Sequence, residues 1–141
     1  MSGFSIKRRL VTVVAVAAVM SVLLASCTLF DRYSQLTLAM LMEDGGDTAD
    51  VTTNPAEITE VACGDDLNCV EAYSTAEANY YRFASRHDAA EYAATIDDGF
   101  AVHYIVMDFA GKNNATHAHQ QRAMERLAST WQDYDGTFPD R

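Results

Sequence analysis

Apolar positions change rhythm several times along the chain. From Leu10 to Leu24 they are nearly continuous, LVTVVAVAAVMSVLL, broken only by Thr12 and Ser21. A second run, Leu36-Thr37-Leu38-Ala39-Met40-Leu41-Met42, precedes an acidic, glycine-bearing piece from Glu43 to Asp50 that offers little to bury. That piece predicts a flexible tether. The run before it predicts a short helix lying either at a membrane or against the domain.

Patterning becomes regular from Glu57 onward. Ile58, Val61 and Ala62 precede a cysteine-bounded loop, and the span from Cys69 to Ser74 reads as a helical turn after Asp65-Asp66. Aromatic residues concentrate between Asn79 and Ala84, which predicts a strand. Ser85-Arg86-His87-Asp88 fits the S-x-x-[DE] capping pattern, and Ala89, Tyr92, Ala93 and Ile96 fall at i, i+3, i+4 and i+7. A helix from Arg86 to Ile96 follows. Asp97-Asp98-Gly99 supplies a turn, and Phe100 to Phe109 (FAVHYIVMDF) reads as one central strand buried on both faces. After a polar loop from Gly111 to Thr116, the stripe Met124, Leu127, Ala128, Trp131 predicts a helix from Thr116 to Thr130. The tail from Gln132 to Arg141 is polar and reads as irregular. The expected fold class is α/β, with α+β as the alternative: a small sheet covered by two amphipathic helices.

The front of the chain places Lys7, Arg8 and Arg9, with no acid, ahead of the apolar run, as in a secretory signal. The run ends in Leu24-Ala25-Ser26-Cys27, which resembles the lipobox of bacterial lipoproteins. The resemblance implies cleavage before Cys27 and lipid attachment at its sulfur. It divides the chain into a signal peptide over 1–26, a lipid-anchored tether over 27–56 and an extracytoplasmic domain over 57–141. An uncleaved membrane helix is the competing reading, because the apolar character continues through Phe30 to about the 20 residues a bilayer requires. Both readings leave the N-terminus in the cytoplasm and the domain outside. The stretch Arg82-Phe83-Ala84-Ser85 with Asp88-Ala89-Ala90-Glu91-Tyr92-Ala93 is similar to small actinobacterial envelope domains, a resemblance that implies no activity.

Charge narrows the partners. The whole chain carries a formal charge of −10. Seven basic and twenty acidic residues follow Cys27, so the part beyond the lipobox carries 7 − 20 = −13. Such a surface repels nucleic acid and anionic headgroups, which leaves basic proteins and cations as the plausible partners and solubility as the plainer explanation. Cys63 and Cys69, an even pair in an oxidising compartment, read as a disulfide. Two ligands are too few for a zinc site, and the spacing is not that of a C-x-x-C redox pair.

Candidate chemistry is sparse. His117 and His119, with His103 or Asp108 beside them, could form a metal site, but residues two apart on a helix point in different directions. Exposed histidines at a helix start are the simpler account. No G-x-S-x-G elbow surrounds Ser74, Ser85 or Ser129. Tyr73, Tyr80, Tyr81, Tyr92 and Tyr104 with Phe83 suit either a ligand groove or a core and its rim. Tyr80, Arg82 and Arg86 form the expected binding surface, the arginines meeting a partner carboxylate or neutralising Asp88. No cofactor and no catalytic residue are expected. The sequence therefore points to a non-enzymatic, lipid-anchored protein on the extracytoplasmic face of the cell membrane, accessory to another envelope protein. The alternative is a small-ligand or metal-binding lipoprotein, and a small hydrolase using His103 or Asp108 ranks last.

Overall fold

The computed structural model describes residues 35–45, 52–131 and 134–140. One compact unit begins at Leu36. The apolar run from Leu10, the expected signal peptide and expected lipid attachment at Cys27, and the acidic piece beyond Gly45 lie outside the described residues.

The elements in chain order are α1 (Leu38–Gly45), β1 (Ala56–Glu57), α2 (Thr59–Ala62), β2 (Cys69–Ser74), β3 (Asn79–Phe83), α3 (Arg86–Ala93), β4 (Gly99–Val102), β5 (Ile105–Asp108) and α4 (His117–Ser129). The strands form one sheet in the order β1-β2-β3-β5-β4, and every pairing is antiparallel. Of the two expected classes the fold is thus α+β, since parallel strands joined by crossover helices are absent from the sheet.

Two of the helices start where the sequence places them. The Ser85 hydroxyl accepts from the Asp88 N–H at 3.1 Å, and the Thr116 hydroxyl accepts from the His119 N–H at 3.2 Å. Each satisfies one of the donors that a helix start leaves open. β3 also lies where aromatic density predicts it.

Register sorts the side chains onto two faces. Ala72, Tyr81, Val106 and Ala101 form one row across β2, β3, β5 and β4. They pack with Phe83, Ala89 and Tyr92 beneath α3, and with Ile58, Ala62 and Leu67 from α2 and the cysteine loop. The opposite face carries Tyr73, Tyr80, Met107 and Phe100 in one row, with Glu71, Arg82, Ile105 and Val102 in the next. α1 closes part of this face over β2 and β3, and α4 packs on β4. α4 leads into a tail whose Tyr134 and Phe138 rings lie 5.8 and 5.4 Å from the Phe100 ring.

Three expectations are corrected. Cys69 to Ser74 is a strand rather than a helical turn: it pairs with β3, and a register shift between Cys69 and Glu71 lets Cys69 and Ala72, three positions apart, both reach the core. Phe100 to Phe109 is a hairpin rather than one strand: His103 takes a positive φ of 52° and, with Tyr104, turns the chain back, pairing Val102 with Ile105. A residue with a side chain rarely adopts that conformation, so the apolar run gave no sign of the turn. The compact unit begins at Leu36 rather than Glu57, because Leu38, Leu41 and Met42 are buried. α1 is therefore core, lying against the domain. The tail is irregular as expected, without helix or strand among its described residues, and it contributes Tyr134 and Phe138 to packing.

Candidate binding groove

The disulfide between Cys63 and Cys69 holds their Cα atoms 5.0 Å apart. Within the loop the Gly64 N–H donates to the Leu67 carbonyl at 2.9 Å, and so does the Cys69 N–H at 2.8 Å. Leu67 is thereby turned toward the core, while Asp66 and Asn68 stay exposed. Facing this loop, α3 presents Asp88, Glu91 and Tyr92, and the turn after it Thr95, a stripe at i, i+3, i+4 and i+7. Between loop and helix lies a groove of about 260 Å³ lined by these residues and floored by Phe83.

Tyr92 gives the groove its aromatic wall. Its ring meets Tyr81 edge-on at 5.3 Å and Phe83 at 5.4 Å. Burial, with the nearby Tyr81 and Asp108, pushes its phenol up to about 12. At neutral pH it is a protonated phenol turned inward, offering the groove a ring rather than an acid or base. The rim is carboxylate: Asp66 from the loop, Asp88 and Glu91 from the helix. His87 Nε2 lies 3.4 Å from Glu91 at an exposed position.

Other candidate features do not converge in this way. A depression of about 270 Å³ is lined by the single segment Glu57 to Val61. At the other end of the sheet Lys112 Nζ donates to Ser74 Oγ and to the Thr75 carbonyl, both at 2.7 Å. Burial lowers the Lys112 pKa, while Glu77 and Asp108 act in the opposite sense. Glu77, 1% exposed, accepts from the Thr53 N–H and hydroxyl, and its carbonyl accepts from Gln120 Nε2 at 3.3 Å. This polar network ties the turn between β2 and β3 to α4 and to the segment before β1.

No family model, curated protein or solved structure matches the chain. The groove must be read from its own chemistry.

The expected surface of Tyr80, Arg82 and Arg86 is not one surface. Tyr80 is 1% exposed, in the core beneath α1 and α4. Arg82 lies on the same face as Tyr80 and donates through Nε to the Leu36 carbonyl at 2.8 Å. Arg86 opens α3 and sets its guanidinium 5.5 Å from the centre of the Tyr104 ring. His103 stands in the β4–β5 turn, 5.4 Å from the Trp131 ring, and His117 and His119 occupy the first turn of α4. Among the described residues no three of His, Cys, Asp and Glu are grouped to hold a metal ion.

Asp66, Asp88, Glu91 and Thr95 were not among the expected binding residues. A signal for three of them was present, in a second stripe along α3 and the turn after it. Its meaning depended on the disulfide loop standing opposite, which no local pattern shows. Three carboxylates around an aromatic wall suit a cation, since the ring face attracts positive charge and an aliphatic stem can lie along it.

Proposed function

We propose that this chain is an extracytoplasmic protein anchored to the cell membrane by lipid on Cys27, and that its domain is a non-enzymatic accessory module. The domain holds a basic segment of another envelope protein in the groove between the Cys63–Cys69 loop and α3. One observation carries the reading: Asp66, Asp88 and Glu91 from two separate elements surround the Tyr92 ring in a groove of about 260 Å³. An arginine or lysine side chain fits such a groove, its head among carboxylates and its stem on the ring. The charge of −10 on the whole chain favours the encounter at low salt.

Titration of the chain with arginine-rich and lysine-rich peptides tests the groove. Binding should weaken about tenfold in the triple variant Asp66→Asn, Asp88→Asn, Glu91→Gln, as expected when several exposed ion pairs worth roughly 0.2–1 kcal/mol each are removed together. Equal affinity for the variant sinks the groove as the binding site. The anchor has its own test, the intact mass of the membrane-extracted protein. A chain that begins at Met1 and carries no acyl group overturns it.

A further inference from the structure

We propose that β4 is a dimerisation edge, along which a second copy of this chain pairs antiparallel with β4 to make one continuous sheet through two molecules. The two edges of the sheet differ. At the β1 end the edge is closed: β1 has two residues and follows Pro55, the Ile58 N–H donates to the Ala72 carbonyl at 2.9 Å, and the Thr59 hydroxyl accepts from the Ala72 N–H at 3.0 Å. β4 ends the sheet on the other side and pairs only with β5. The Phe109 N–H donates to the Asp98 carbonyl at 3.0 Å, which sets the alternation: Asp98, Phe100 and Val102 bond inward, and the N–H and C=O groups of Gly99 and Ala101 point outward. Among the described residues no hydrogen bond from another element reaches those outward groups. Gly99 to Val102 contains no charge and no proline, the usual means by which an edge avoids a partner strand.

The outward groups also select the register. Gly99 opposite the second copy's Ala101, and Ala101 opposite its Gly99, is the pairing in which both outward residues of each copy meet those of the other. Sliding the strands by two positions brings Asp97 or the left-handed His103 against Ala101 or Gly99 and loses half of the bonds. In the selected register Asp97 of one copy lies opposite His103 of the other, whose ring lies 5.4 Å from Trp131; the next residue, Tyr104, carries the Arg86 guanidinium 5.5 Å from its ring centre. The acidic Asp97-Asp98 end of each β4 thus comes to the turn end of its partner's, near which Arg86 lies, twice, about a twofold axis. With the other edge closed, the pairing ends at two copies instead of continuing as a fibre.

Sedimentation of the full chain in density-matched detergent micelles, over a range of protein concentrations, measures the assembly. Hydrogen exchange of the Gly99 and Ala101 amides reports its location. A dimer is expected, with both amides slowed as dimer forms and released on dilution. Ala101→Pro, which removes an outward N–H and no bond of the monomer's own ladder, should weaken association at least tenfold. Asp97→Arg and Arg86→Glu should each weaken it severalfold and the double reversal should recover it, which holds even if the proline variant folds poorly. A monomer at all concentrations overturns the proposal, and so does a dimer in which the two amides exchange as fast as in the monomer.

Discussion

Glu71 and Arg82 face each other across β2 and β3 and together hold the segment that precedes the sheet. The Leu38 and Ala39 N–H groups each donate to the Glu71 carboxylate at 2.7 Å, and Arg82 takes the Leu36 carbonyl. A carboxylate at a helix start answers both the open donors and the dipole. Replacing Glu71 with alanine leaves those part-buried donors unmet, so it should cost about 1–3 kcal/mol in denaturant unfolding and speed exchange at Leu38 and Ala39. Tyrosine supplies a second effect at this scale. Burial raises the phenols of Tyr80 and Tyr92 above the ordinary value of 10.0, that of Tyr92 to about 12. Below pH 10 both folded and unfolded chains keep these protons and the contribution to stability is complete. Above it the unfolded chain releases them first, so the folded chain binds more protons and stability falls from pH 10 through 12 and beyond. Denaturation midpoints measured across pH 8 to about 12 should be flat and then decline, with the buried phenols ionising only as the protein unfolds.

The elements depend on close contacts that single substitutions can probe. A Cβ at Gly99 would meet the Ile96 side chain and the Met107 carbonyl, so Gly99→Ala should lower stability and disturb the α3–β4 junction, seen as a reduced thermal midpoint. α1 contributes Leu41 to the core at 4% exposure, and Leu41→Ala should cost about 2–5 kcal/mol, the range for a core leucine rather than for a tether residue. The cysteine loop closes over a separation of six residues. Its disulfide is worth about 2 kcal/mol by loop entropy. Cys63→Ala together with Cys69→Ala should remove that much stability and also free Asp66 from the rim, weakening peptide binding. Retained affinity in that variant would mean that α3 alone forms the site.

At the scale of the whole molecule, the docking of α1 makes Leu36, not Glu57, the first residue of the compact unit. No helix among the described residues is long and apolar enough to cross a membrane. The acidity of the chain gives the proposed recognition a salt dependence. Affinity for a basic peptide should fall steadily from about 0.05 to 0.5 M salt as the screening length shortens, and a salt-independent affinity would point to an apolar partner instead.

The amino-acid order by itself determined what neighbours within a few residues decide. Ser85 and Thr116 cap the next turn of their own helices, Met124, Leu127 and Ala128 line one side of α4, Tyr80 to Phe83 favour an extended backbone, and Cys63 is close enough to reach Cys69. These follow from helical and strand periods and from side chain to backbone bonds that span three or four positions. Tertiary structure decided the rest. Whether Leu38 met a membrane or a sheet depended on Glu71, thirty-three positions away. That Tyr80 is core while Tyr92 walls a groove depended on which face each element covered. The turn at His103 was set by β5 finding a place between β3 and β4, a gain in pairing and burial large enough to hold a side-chain-bearing residue at positive φ. Such outcomes rest on contacts between distant segments, and no local pattern in the chain carries them.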